Sequence, residues 1–254
     1  MKVWHVMQKS QRGFTLVELL VVIAVTSALL SLLLPALNRA KETGRSAVCR
    51  NNMHQIMLAV EYYVLDNEDY LPWPGAVDRN LAPDWVFGGF NAKVPPDPKE
   101  WAQVGYATHA ESGSLFTYIT SEPRMVYNDR TTNSYPQYRC PSSGLVGRAR
   151  RVTYGMNARF DPQEELAIKG PGLQKSEIVR PTQKVIMVDA SADTANCGAF
   201  YPWGSANQSQ MQPHNERVNM GFVDNHMEVL RYQRLIENQQ THPTMSRYFE
   251  PFSP

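Results

Sequence analysis

From Leu19 to Leu37 the chain runs nineteen residues without a charged side chain. At about 1.5 Å per residue a helix of that length spans about 28 Å, close to the roughly 30 Å hydrocarbon core of a bilayer. Nothing else in the sequence limits the fold as strongly. The run is local, because hydrophobic residues are only 43% of the whole chain of 254. The remainder of the chain is polar and rich in Pro, Tyr, Asn and Gly, the composition of a water-soluble domain. The formal net charge of +1 gives no support to a nucleic-acid partner, which calls for a concentrated basic patch.

The flanks of the run separate two readings. Lys2, Lys9 and Arg12 form a basic head, as in a secretory signal. The apolar run is too long for such a signal, and no small-residue exit site stands after it. A retained anchor fits better, with its head in the cytoplasm by the positive-inside tendency. Arg39, Lys41, Arg45 and Arg50 beyond the run weaken that bias. A plain anchor leaves Glu18 unexplained, since a carboxylate in hydrocarbon is costly and usually paired. Cutting between Gly13 and Phe14 would place a new ammonium group four residues before Glu18, on the same helix face. An acid in the first turn also suits the helix dipole.

Gly13, Phe14, Thr15, Leu16 and Glu18, leading into the apolar run, resemble the signal of type IV pilins and type II secretion pseudopilins. The resemblance implies a leader of residues 1–13, removed after Gly13 by a prepilin peptidase that then methylates Phe14. It implies an acid at Glu18 that takes part in assembly, and it matches Pro35 to a proline common in that family. It further implies a single-pass protein of the inner membrane, its soluble domain outside the cytoplasm. An assembly platform in that membrane would extract it into a helical filament of itself and other pseudopilins. Cleavage removes three basic residues and no acid, taking 25 basic against 24 acidic residues to 22 against 24.

Beyond Pro35 the helical rhythm persists. Met53, Ile56, Met57, Val60 and Val64 recur every three or four residues, Ala59 and Tyr63 widen that face, and Asn52, Gln55 and Glu61 fall off it. One helix is therefore expected over residues 14–66, spanning the membrane over about 14–37 and kinked at Pro35, which has no amide donor. Its distal half needs a partner surface, and the soluble domain of residues 67–254 is the simplest one. The fold expected is α+β, pilin-like: a long helix packed on an antiparallel sheet with long irregular loops. Within it, residues 184–189, 218–223 and 226–231 read as strands, the last two as a hairpin turning at Asp224-Asn225. The segments around Cys140 and over 152–159 read as extended, and a short helix is expected near Ser114. Trp73, Trp85, Phe87 and Phe90 read as buried anchors of an irregular loop. The tail from His242 on is expected to cross the surface or fray.

Cys140-Pro141-Ser142, Tyr154-Gly155-Met156-Asn157, Asp189, His214 and Asp224-Asn225-His226 resemble the domain of planctomycete-type pilin-like proteins. Asn225 stands where that family usually has glycine. For chemistry, Asp189, His214, Asp224 and His226 leave three readings open: a hydrogen-bonded network, a transition-metal site such as zinc, or an acid–base pair. Calcium enters through the resemblance, because major pseudopilins bind it in a late acidic loop. The candidate oxygens are Asp189, Asp193, Asn196 and Asp224. With three cysteines, Cys140 and Cys197 are the candidate bridge; the alternative is three separate thiols. No nucleotide, hydrolase or metalloprotease motif is present, so an enzyme is not expected. The leading expectation is a structural filament subunit. The alternatives are a surface-anchored ligand-binding protein using residues 73–90, and a tethered metalloenzyme built on His214, Asp224 and His226.

Overall fold

The structure is a computed structural model that describes residues 14–75, 81–87, 108–126, 133–162, 171–191, 198–202, 214–231 and 248–252. Gly13 and the rest of the leader, Phe90, Asp193, Asn196 and Cys197 lie outside them. The chain divides into two compact units, residues 1–41 and 42–254.

Helix α1 covers Leu16–Asp66 without a break at Pro35. It begins with a capping box. The Glu18 backbone N–H donates to Thr15 Oγ1 (3.2 Å), while Glu18 Oε2 accepts from the Thr15 backbone N–H (2.9 Å) and hydroxyl (2.8 Å). Two donors orphaned at the helix start are thereby satisfied. In the first unit the described apolar residues are all exposed; Leu16, Leu32 and Leu29 are 63–78% accessible. This is the one candidate membrane span among the described residues. Thr26 and Ser31 return their hydroxyls to the carbonyls of Val22 and Ala28, which hides their polarity in an apolar stretch.

In the second unit α1 changes character. Cys49, Asn52, Met53, Ile56, Met57, Ala59, Val60 and Val64 are buried. The apolar members carry the rhythm that the sequence predicts. Asn52, expected off that face, is on it instead. Its amide donates to the carbonyls of Pro136 (3.1 Å) and Arg139 (3.3 Å), which stitches α1 to that turn.

The partner surface is a five-stranded sheet in the order β3-β1-β2-β4-β5. Its strands are β1 (Tyr154–Asn157), β2 (Val185–Asp189), β3 (Ala199–Phe200), β4 (Arg217–Phe222) and β5 (Met227–Arg231). Pairing is antiparallel except at the edge, where β3 runs parallel to β1 and makes the sheet mixed rather than purely antiparallel. All of β2 is buried. A register shift between Val185 and Met187 lets Ile186 and Met187 both face the α1 core, while Val185 and Val188 face a second core. That core holds Phe200, Val218, Met220, Phe222 and Phe249. The stretch at 248–252 is thus packed rather than frayed. Phe249 lies against Phe200 and its carbonyl accepts from Asn157 (2.8 Å).

The hairpin turns at Asn225, whose φ of 72° is left-handed, the conformation asparagine tolerates where glycine is usual. Around Cys140 the extended reading holds only for Arg139 and Cys140 themselves; two 3-10 turns, Pro136–Tyr138 and Pro141–Ser143, flank them, each with proline at its first position. Two short helices, α2 (Phe116–Thr120) and α3 (Gly144–Arg150), lie on either side of this region. Trp85 is fully buried, stacks on Tyr138 and donates Nε1–H to the Gly198 carbonyl (2.9 Å); Trp73 donates to that of Pro171 (3.2 Å).

Candidate functional site

Four distant segments meet beneath α1. Cys49 comes from the buried helix face. Cys140 sits just before the Pro141–Ser143 turn, its backbone N–H donating to Thr153 Oγ1 (2.6 Å) and its carbonyl accepting from Ser143 Oγ (2.6 Å). Asp189 ends β2, opposite Tyr154 of β1. His214 leads into β4 through a tight turn closed by mutual backbone hydrogen bonds with Arg217. Asn215 (φ 50°) and Glu216 (φ 65°) hold that turn in left-handed conformations.

The geometry is close. Cys49 Sγ and Cys140 Sγ lie 2.7 Å apart with no disulfide between them. His214 Nε2 lies 3.3 Å from Cys140 Sγ and 3.4 Å from Asp189 Oδ2. The other ring nitrogen is engaged by Glu42 of α1, with Nδ1 2.6 Å from Oε1; that oxygen also accepts from Ser142 Oγ (2.6 Å). An ionised Glu42 fixes Nδ1 as the donor, so Nε2 is aimed at the sulfurs. Asp189 Oδ2 accepts from the side chain (2.5 Å) and backbone (3.2 Å) of Asn219. Its Oδ1 is buried and has no hydrogen-bond partner among the described residues.

The electrostatics arise from burial and proximity. Burial raises the Asp189 carboxyl, and hydrogen bonds from His214 and Asn219 offset this only in part. Burial opposes a charge on His214, yet Asp189 and Cys140 outweigh it and push the imidazole up to about 10. The Cys49 hydrogen bond, helped by His214, brings Cys140 down to about 6 against the effect of burial. The same hydrogen bond and burial push Cys49 up. Burial lifts Glu42, but Ser142 and His214 hold it below the ordinary carboxylate range. A thiolate beside an imidazolium is a nucleophile in the abstract. Here it is sealed in the core, and a cavity of about 590 Å³ lined by Tyr63, Asp66, Tyr118 and Arg124 shares no residue with it.

The structure regroups the residues picked from sequence. Asp189 and His214 come together. Asp224 and His226 do not join them: they pair with each other at the hairpin turn (2.5 Å), where the His226 ring stacks on Phe222. His214 precedes β4 and Asp224 comes after it. The six residues of that strand, at about 3.3 Å each, keep the two apart. The oxygen set for calcium is therefore not assembled among the described residues, and neither is the proposed metalloenzyme triad. Cys140 meets Cys49 inside the described residues, while Cys197 lies outside them. Sequence reasoning missed Cys49, Glu42 and Ser142. The available signal was Cys49 itself, four residues before Met53 on the buried stripe.

Residues 8–34 match the family model described as a prokaryotic N-terminal methylation motif. With an exposed apolar helix start and a distal half packed on a sheet, this defines a pilin-like protein. Residues 38–217 match the model described as "Protein of unknown function (DUF1559)", and the chain belongs to that family. It is also similar to the type II secretion system core protein G of Dickeya chrysanthemi, 31% identical over 102 residues, which cover 39% of this chain and 60% of that protein. The core protein G of Pseudomonas aeruginosa is 27% identical over 99 residues, 36% of this chain and 70% of the relative. That of Klebsiella michiganensis is 29% identical over 99 residues, 39% and 64%. The chain thus spans between 60% and 70% of the length of these curated relatives. No solved structure matches it.

Proposed function

We propose that this protein is a structural pilin-like subunit, cleaved after Gly13, methylated on Phe14, and assembled into a type II secretion-like or type IV pilus-like filament. The observation that carries this reading is the methylation motif of residues 8–34 set on a helix whose apolar side chains over 16–37 are exposed. A lone chain can keep such a surface only in lipid. In a filament the same surface packs against neighbouring helices. Before assembly the chain would be a single-pass inner-membrane protein with its soluble domain outside the cytoplasm. A prepilin peptidase, other pseudopilins and a membrane assembly platform are the partners this route requires. The role is structural rather than enzymatic, in keeping with the likeness to type II secretion core proteins.

The capping box gives Glu18 a place before and after assembly. Within one chain it closes the helix start on Thr15. Beside a neighbour it can exchange that contact for the neighbour's N-terminal ammonium and so set axial register. The alternative of a ligand-binding loop at 73–90 loses support because Trp73 and Trp85 are spent inside the core.

Intact mass and N-terminal sequencing of the protein from its native membrane test the processing. The expected chain begins at a methylated Phe14; one that begins at Met1 beside an active prepilin peptidase overturns the proposal. Glu18→Gln should be cleaved normally but enter filaments poorly. Wild-type filament yield from that variant would remove Glu18 from assembly.

A further inference from the structure

We propose that Cys49, Cys140, His214 and Asp189 form a structural zinc site that clamps α1 to the soluble domain. The proposal concerns the folded domain alone and does not rest on filament assembly.

The donor set is the first argument. Two thiols and an imidazole nitrogen, from chain positions as far apart as 49 and 214, lie within 4.8 Å of one another, and Asp189 Oδ2 stands 3.4 Å from that nitrogen as the nearest fourth donor. Zinc takes four such ligands tetrahedrally, with sulfur at about 2.3 Å and nitrogen or oxygen at about 2.0–2.2 Å. Tetrahedral placement sets neighbouring ligand atoms roughly 3.3–3.8 Å apart. The Cys140–His214 and His214–Asp189 separations of 3.3 and 3.4 Å already meet that requirement. The sulfurs, 2.7 Å apart, must open by about 1 Å, a change that rotation of the cysteine side chains supplies.

The surroundings of the ligands are the second argument. A metal-binding histidine typically donates its other ring N–H to a carboxylate, which fixes the tautomer and aims the free nitrogen. His214 does this with Glu42, and Ser142 in turn holds Glu42. Asn219 does the same for Asp189 through two hydrogen bonds to Oδ2.

The third argument is the unsatisfied oxygen. Asp189 is fully buried and its Oδ1 has no partner among the described residues. A buried carboxylate is costly without a counter-charge; protonated His214 at 3.4 Å supplies it here, and a bound cation would take over that part when the imidazole coordinates as a neutral ligand. Calcium is excluded by the thiols and the imidazole, because it takes six to eight oxygens. Four protein ligands in a closed, buried site mark a structural ion rather than a catalytic one.

The test uses the full processed chain, purified in detergent from its native membrane. Metal content by mass spectrometry should give close to one zinc per chain. Cys49 and Cys140 should resist alkylation until a chelator is added, and the chelator should lower Tm. After exchange of zinc for cobalt(II), the protein should show thiolate-to-cobalt charge-transfer absorption and the intense visible bands of tetrahedral cobalt. Cys140→Ser should retain less than a tenth of the zinc. Should that variant fail to fold, Glu42→Gln serves in its place: it keeps all four ligands and should weaken zinc affinity about 10- to 100-fold. Three results would overturn the proposal: a disulfide-linked Cys49–Cys140 peptide in a zinc-free protein; free thiols with no zinc or cobalt taken up at micromolar metal; or full zinc content in folded Cys140→Ser.

Discussion

Glu111 and Arg151 form an ion pair at 2.9 Å with both side chains almost wholly buried, and His109 Nδ1 stands 3.8 Å from the same carboxylate. Burial raises the Glu111 carboxyl, but His109 and Arg151 outweigh it and leave it below its ordinary 4.5. A carboxylate whose folded value is depressed adds stability above its unfolded value, and that stability is lost as pH falls through the folded value. Urea midpoints should therefore hold steady from neutral pH down to about 4.5 and fall below it. Glu111→Gln should flatten that fall and lower stability by about 3 kcal/mol at neutral pH, because Arg151 is left buried without its counter-charge. An unchanged midpoint at pH 7 would show that the pair contributes little. Asn225 illustrates the same scale in the backbone. Its left-handed φ was readable from Asp-Asn between two strand patterns, since few residues other than glycine and asparagine settle there.

At the scale of elements, α1 answers to two environments. Its buried stripe was legible because Met53, Ile56, Met57, Val60 and Val64 keep the helical period. The surface that the stripe meets was not legible, since periodicity names a face and not its partner. Asn52, Cys49 and Glu42 acquire their roles only from segments about 85 to 172 residues away. Proximity in sequence misled in the opposite direction, grouping His226 with His214 although a full strand divides them. β3 escaped notice because a strand of two residues carries no pattern. Two substitutions test the helix. Ile56→Ala empties a fully buried position and should cost about 2–5 kcal/mol in denaturant unfolding of the soluble part. Gly44 has open space where a Cβ would stand, so Gly44→Ala should raise stability by up to about 1 kcal/mol. A loss there instead would mean that the helix needs a flexible point at Gly44.

For the whole molecule, the division at residues 41 and 42 separates a stretch without protein cover from a domain with two cores. The full chain should stay in the membrane pellet through alkaline carbonate washing, and protease added outside the cytoplasmic membrane should digest the domain. Release of the intact chain by carbonate would contradict a spanning helix. The membrane-length run and the α+β layout were readable from composition and period, because each repeats over many residues. The thiol, imidazole and carboxylate cluster was not, because each of its members is a single residue made neighbour to the others by the sheet.

The second core also orders events in time. Phe249 is synthesised after every strand it covers, and Met57 of α1 waits for Gly221 to arrive against it. In order of synthesis the helix therefore comes first, and the second core is complete only once Phe249 has been made. Contacts so remote along the chain form slowly. A nascent chain halted before residue 249 would leave Val185, Val188 and Phe222 open to water and to proteases. The closing strap is thus the last piece of the second core to be made, and a chain cut short of it leaves that core unfinished.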